Sequence, residues 1–374
     1  MTAAENSQLF DASPDDACFV TMTEYDITII GGGPAGATLA RLLAGQYRVL
    51  LIDKSRPKCC GGLLAPDAQE MIARLGLVLP DTVLQGPQLF SVLVHDFDNN
   101  LSRSYQRHYL NMNRESFDRW LLSLVPANVD CMIPGRYLHC KSDIKAERLT
   151  VHYTQNNVDM AAVTRVLVGA DGAFSSVRRQ FVADHVDREM YVAVQKWFEP
   201  GLATSCYGAI FDREITDYYS WTIPKGNRLI VGSAIPAKSS VRERFALLID
   251  KLRKIGLPLE NEVFRESAQI VRPRSPRALC PIVSGLPIVL LGEAAGLISP
   301  SSAEGISYAM RSTVALADAL MPGINGFQRR YMRNLRPLYL KLGLKHIKRP
   351  VMYSLILRKF ILKTGLMSID VRKE

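Results

Sequence analysis

The chain has no apolar run of about 18 residues or more, the length a membrane-spanning helix needs, so no spanning helix is expected. Residues 1–23 have neither a basic start followed by an apolar stretch nor an arginine-rich pattern. The segment reads as neither a signal peptide nor a transit peptide. Small and acidic residues there read as a disordered lead, with Met22 as an alternative start. The seven cysteines are odd in number and lack metal-ligand spacing, and the six histidines include no H-E-x-x-H. No metal site is expected, and the thiols point to a reducing, cytoplasmic compartment. Internal repeats and low-complexity tracts are also missing.

Acidic residues are scarce at one end. The net charge is +10, and from Gln328 onward 13 lysines and arginines face only Asp370 and Glu374. The rest of the chain is close to neutral. Apolar residues interleave with these cations at helical spacing. The segment therefore reads as a peripheral attachment to an anionic membrane surface on its inner face. The other reading is a solvated face of helices packed on the rest of the chain. No recognisable nucleic-acid module accompanies the charge, so no nucleic-acid partner is expected.

Residues 25–30 form an apolar run ending at glycines, residues 34–44 fit a helix, and residues 48–52 fit a second buried strand. Together they predict a β-α-β unit opening a parallel sheet. Between strand and helix lies Gly31-Gly32-Gly33-Pro34-Ala35-Gly36, a G-x-G-x-x-G. Gly31 serves the tight turn, Gly33 lets a pyrophosphate approach the backbone, and Gly36 lets helix and strand pack closely. Pro34 and Ala35 open the helix whose free amides and dipole face the phosphates. Asp53, followed by Lys54, comes 22 residues after Gly31, the spacing of a carboxylate on an adenosine ribose. This pattern suits NAD and FAD alike.

Two later motifs favour FAD. One is Gly169-Ala170-Asp171-Gly172, after an expected strand at 165–168. The other is Gly292-Glu293-Ala294-Ala295-Gly296, followed by Glu304-Gly305-Ile306. A carboxylate at a strand end can accept from ribityl hydroxyls, and a helix starting near Glu304 can aim its amides at the pyrimidine edge of a flavin. Turns are expected at 141–143 and 156–157, a second sheet over 191–236, and helices over 66–75, 114–124, 241–255 and 304–320.

These three motifs in this order resemble the FAD-dependent oxidoreductases of the para-hydroxybenzoate hydroxylase fold. The resemblance covers roughly residues 25–320. It implies an α/β (α+β) architecture: a Rossmann-like FAD-binding domain, an inserted antiparallel-sheet substrate domain and C-terminal helices. The expected division is 24–80, 108–185 and 275–325 for the FAD-binding domain, 81–107 and 186–274 for the substrate domain, and 326–374 for the basic segment. Arg114, in Asn113-Arg114-Glu115-Ser116-Phe117-Asp118, matches the family arginine that contacts the FAD diphosphate region. Glu293 stands where the family has aspartate, so an extra methylene must be absorbed there.

Within that fold, Pro57-Lys58-Cys59-Cys60-Gly61-Gly62-Leu63 resembles the Lys-x-Cys-Gly-Gly signature of the geranylgeranyl reductase family. Tyr219-Ser220-Trp221-Thr222-Ile223-Pro224-Lys225-Gly226 resembles its Tyr-x-Trp-x-Phe-Pro motif, with Ile223 in place of Phe. The stretches CGGLLAPDAQ at 60–69 and EGISYA at 304–309 are similar to a bacterial member of that family. The resemblance implies reduction of carbon–carbon double bonds in a polyprenyl lipid by hydride transfer from reduced flavin. Gly61 and Gly62 would approach the flavin, Cys60 could donate a proton, and Tyr219 and Trp221 would wall an apolar cavity. No second G-x-G-x-x-G follows Gly36, so NAD(P)H or a redox-protein partner would supply electrons transiently. Two alternatives stay open: a flavin monooxygenase or halogenase acting on an aromatic compound, and a non-catalytic flavin-binding regulator.

Overall fold

The computed structural model describes residues 23–143, 147–182, 188–201, 204–273, 275 and 279–370. The expected disordered lead lies outside them except for Thr23. Strand Thr23–Ile30 runs parallel between Val49–Ile52 and Val158–Gly169, and Asp130–Met132 and Ile288–Leu290 extend the parallel array on its two sides. Val49–Ile52 is buried at every position, as a strand covered on both faces must be. Helices Pro34–Leu43 and Ile306–Leu320 pack on each other beside this sheet. Strands Gly135–Asp143 and Arg148–Gln155 pair antiparallel with each other, and the latter with the start of Val158–Gly169. Their inward residues Tyr137, Cys140, Leu149 and Val151 join the same core as Ile29 and Leu39. The expected turn at 141–143 is strand instead, because Lys141, Ser142 and Asp143 stay in register with Thr150, Leu149 and Arg148.

A second sheet is assembled from distant parts of the chain. Its order is Asn261–Pro273, Arg188–Glu199, Arg228–Pro236, Ser220–Lys225, Cys206–Phe211, Leu89–Asp96, Leu101–Asn111 and Ser368–Ile369. Helix Val241–Lys254 buries Phe245, Leu248, Ile249 and Leu252 against Phe198, Ile210 and Val231 of this sheet. The two-residue strand Leu63–Leu64, directly after Cys59-Cys60-Gly61-Gly62, pairs with Leu110 and Asn111 of the second sheet. The chain thus crosses between the sheets at the motif of interest.

The basic C-terminal segment forms helices Phe327–Asn334, Arg336–Tyr353 and Leu355–Thr364. Their inner faces are structural. Phe327, Tyr331, Leu335, Leu338 and Leu342 belong to the main core. Arg358 is buried against Asp96 and Asp98. Among the described residues, no helix is long and apolar enough to cross a membrane.

Candidate functional site

The glycine turn sits where strand Thr23–Ile30 ends. Gly31 has φ +107°, and a Cβ there would lie 2.5 Å from the Ala170 carbonyl oxygen. A Cβ on Gly36 would overlap the Gly31 oxygen, whereas one on Gly33 would meet nothing within 4 Å. The backbone is thus closed on the sheet side and open at Gly33, the N-cap of helix Pro34–Leu43. Pro34 and Ala35 are buried in its first turn. Asp53 accepts from Gly32 N and from Ser55 N, both at 2.8 Å. A carboxylate has about four acceptor positions, so roughly two remain for ligand hydroxyls. Lys54 is exposed beside it.

The second motif is laid against this turn, with Ala170 N donating to Ile30 O at 2.7 Å. Asp171 accepts from Ser176 N at 2.6 Å through Oδ2, while its buried Oδ1 has no partner. Burial pushes this carboxyl above the usual range despite the hydrogen bonds it accepts. Gly172 is left-handed, φ +76°. The third motif joins the same edge through Leu291 N to Gly169 O at 2.9 Å. Glu293 lies in the single turn Gly292–Ala295, which Gly296 ends at φ +80°. Its carboxylate pairs with Lys58 at 2.9 Å. Lys58 Nζ is also 3.8 Å from where a Gly172 Cβ would be. Lys58 therefore ties the cysteine loop to the third motif and passes close to the second.

The cysteine loop meets the second sheet at Gly61 and Gly62. A Cβ on Gly61 would lie 2.5 Å from Ile223 Cδ1, and one on Gly62 would overlap the Met112 oxygen. Lys225 is 2 % exposed and donates to Gly62 O at 3.1 Å and Met112 O at 2.6 Å. Burial lowers its pKa to about 7, partly offset by nearby Cys60. Cys60 Sγ accepts from Gly62 N at 3.4 Å. Arg114 is drawn inward to the same place. Its Nε donates to both Asp118 oxygens at 2.9 and 3.0 Å, and Cys60 lies near enough to favour the charged guanidinium. Burial opposes the Arg114 charge, but Asp118 and Cys60 outweigh it and keep the group protonated. Cys59 accepts from Gln195 Nε2 at 3.1 Å, and Gln195 Oε1 accepts from Trp221 at 3.4 Å. The Cys59 thiol is pushed up to about 12, chiefly by burial and then by Glu266. Both cysteines are free.

Strand Ser220–Lys225 and the residue before it place Tyr219, Trp221 and Ile223 in one apolar cluster with Leu63 and Ala65. The Tyr219 and Trp221 ring centroids are 5.6 Å apart. The Tyr219 hydroxyl donates to Ser302 O at 2.7 Å, and burial raises its pKa well above the ordinary value. Tyr353 donates to Ser301 O at 2.7 Å and Arg272 to Pro300 O at 3.1 Å. These contacts hold the loop leading to Glu304. Glu304 turns away from the helix to accept from Arg107 at 2.9 Å and Tyr109 at 3.2 Å. The helix consequently begins at Ile306, with Gly305 as an N-cap that has no side-chain capping bond. Lys58 and Lys225 lie inside the two family-like stretches without an assigned role, and Gln195 and Arg107 have no signal in the sequence as site residues. Lys225 follows directly on the Tyr-x-Trp-x-Ile-Pro run, a signal that could have found it. Gln195 and Arg107 act only across strands, so nothing local marks them. Two surface cavities, of about 340 and 380 Å³, are lined by residues of neither the glycine turn nor the cysteine loop.

No family model matches the chain. Protein CbrA of Escherichia coli strain K12 is 40% identical over 361 residues, spanning 94% of this chain and 100% of that protein. Among solved structures, a geranylgeranyl bacteriochlorophyll reductase-like protein from Thermoplasma acidophilum superposes with TM-score 0.78 at 18% identity, covering 92% of this chain and 90% of that one. A triple mutant of the flavin-dependent brominase Bmp2 gives 0.75 at 18% identity, covering 92% of both chains. PqsL of Pseudomonas aeruginosa, a probable FAD-dependent monooxygenase, gives 0.68 at 19% identity, covering 92% of this chain and 100% of that one. At such identities the likeness is one of fold, and it bears out the expected architecture.

Proposed function

The chain belongs to the CbrA family, and from that premise we propose that it is a FAD-dependent oxidoreductase reducing carbon–carbon double bonds of a polyprenyl, geranylgeranyl-type lipid. The observation that carries this reading is that Gly61 lies against Ile223, which shares an apolar cluster with Leu63, Tyr219 and Trp221. A substrate bound there would be selected by shape and apolarity.

The residues fit FAD. Open Gly33 and the first turn at Pro34 and Ala35 suit its diphosphate. Asp53 has acceptor capacity for ribose hydroxyls, and the buried, partnerless Asp171 Oδ1 and the uncapped amides at Gly305 and Ile306 offer further polar contacts. Glu293, on its Lys58 tether, can accept from a polyol. FAD, when bound and reduced, supplies the hydride. Cys60 Sγ and Lys225 Nζ can hold the proton that the other alkene carbon needs. Tyr219 is committed to Ser302 O, so its role is to position the loop before Glu304. NAD(P)H or a redox protein, acting transiently, would reload the electrons.

The test is anaerobic. Protein with reduced FAD is mixed with a geranylgeranyl lipid, and separately with oxygen and aromatic candidates. Expected are flavin reoxidation by the lipid and a product mass higher by about two units per bond reduced. Oxygen or halogen gained by an aromatic compound would instead favour the monooxygenase or halogenase reading. A bound flavin that no donor reduces would favour a non-catalytic regulator.

A further inference from the structure

The C-terminal helices bury one face and leave another that no described residue covers. On Arg336–Tyr353, Leu338 and Leu342 are buried, whereas Leu340, Leu344, Ile347 and Val351 are 73%, 61%, 72% and 36% exposed. Spacings of three and four residues put these exposed side chains on one narrow stripe. The next helix repeats the pattern, with Leu362 buried and Ile356 and Phe360 exposed at 80% and 68%. Leu366 and Met367 follow at 66% and 84%.

Charge identifies what covers this face. Between Phe327 and Ile369 there is no Asp or Glu. Arg349 and Arg358 are used internally, against Glu189 and Asp96. Arg336, Lys345, Lys348, Lys359 and Lys363 make no ion pair with a described residue. A second copy of the chain would set these cations against their own kind. An anionic lipid surface would neutralise them while taking up the apolar side chains. Single exposed apolar residues are ordinary on a protein surface; a stripe of them rimmed by cations of one sign is not.

We propose that the outer face of helices Arg336–Tyr353 and Leu355–Thr364 docks the protein on an anionic membrane surface, with Ile347 and Phe360 among the side chains that enter the headgroup boundary. The cations hold the surface electrostatically, and the buried inner faces keep the helices in place. This docking is independent of which substrate the flavin site reduces.

The experiment is flotation of the full-length protein with phosphatidylcholine vesicles, with and without roughly a third phosphatidylglycerol. Wild type should float with the anionic vesicles only, and the bound fraction should fall several-fold as salt shortens the screening length. Two exposed-site variants separate the terms: Ile347→Glu with Phe360→Glu, and Lys348→Glu with Lys359→Glu and Lys363→Glu. Each should lose most flotation while keeping the wild-type melting temperature and bound flavin. The proposal is overturned if wild type ignores anionic vesicles, or if either variant floats like wild type. It is equally overturned if wild type is a dimer that the apolar variant dissociates without flotation in any form.

Discussion

Gly33 and Gly36 stand three residues apart in one turn and answer to different constraints. Gly36 has no room for a Cβ because the Gly31 carbonyl fills the space; Gly33 has ample room. Gly36→Val should therefore unfold the protein or cost at least about 3 kcal/mol. Gly33→Asp should leave the flavin-free melt nearly unchanged and abolish FAD binding, read by visible absorbance of the purified protein. An intact yellow Gly33→Asp protein would remove the proposed cofactor cradle. Lys225 makes a second prediction. Below about pH 7 its amine is charged in both folded and unfolded chains, and the folded state bears the full desolvation cost. Between about 7 and 10.5 the unfolded chain holds a proton that the folded chain lacks, so this group makes stability rise with pH. The slope is at most about 1.4 kcal/mol per pH unit. Urea melts of flavin-free Lys225→Met across that range should lose the increment, though leaving Gly62 O and Met112 O without their donor costs about 1–3 kcal/mol. Equal slopes in variant and wild type would mean that Lys225 is not desolvated.

At the scale of elements, helix Leu355–Thr364 is held by buried Leu362, by Arg103 donating to Leu362 O at 3.0 Å, and above all by the Arg358 side chain. Arg358 donates to Asp96 at 2.7 and 2.9 Å and to Asp98 at 2.7 Å, and Asp96 is fully buried. Removing the cation strands a buried carboxylate, so Arg358→Met should cost about 3–5 kcal/mol in chemical unfolding. Amide exchange in this helix should accelerate more than in Pro34–Leu43. A loss below about 1 kcal/mol would show that water can reach Asp96. The following strand Ser368–Ile369 pairs with Ser104 and Tyr105. Truncation before Phe327 would remove core residues along with the exposed stripe, which makes surface substitutions the cleaner probe of docking.

Over the whole molecule, the candidate site belongs to neither sheet alone. Lys225 and Ile223 of the second sheet hold the cysteine loop, and Arg107 and Tyr109 hold Glu304 ahead of a helix packed on the first. Binding FAD to this junction should stabilise both parts together. At about 100 times its Kd the gain is about 2.7 kcal/mol. Calorimetry should show one transition that moves upward with FAD. Two transitions, only one of which moves, would mean that the sheets unfold independently and the junction is weak.

Local chemistry made the first parallel unit and the glycine turn legible. A buried strand, a left-handed glycine, an open glycine and a carboxylate at the next strand end are all constraints acting within one β-α-β unit. Elements along the chain could likewise be placed within a few residues, as for Pro66–Arg74 and Val241–Lys254, because apolar periodicity records which side is buried. Contacts between distant strands could not be read this way. Nothing near Gln195 marks its bonds to Cys59 and Trp221, and nothing near Arg107 marks Glu304. The basic tail shows the same division. Its charge and amphipathic spacing were written in the sequence, but only packing decided that Leu338 and Leu342 turn inward while Leu344 and Ile347 stay out. Spacing gives a helix an apolar stripe, whereas which stripe finds the core depends on where the sheets stand.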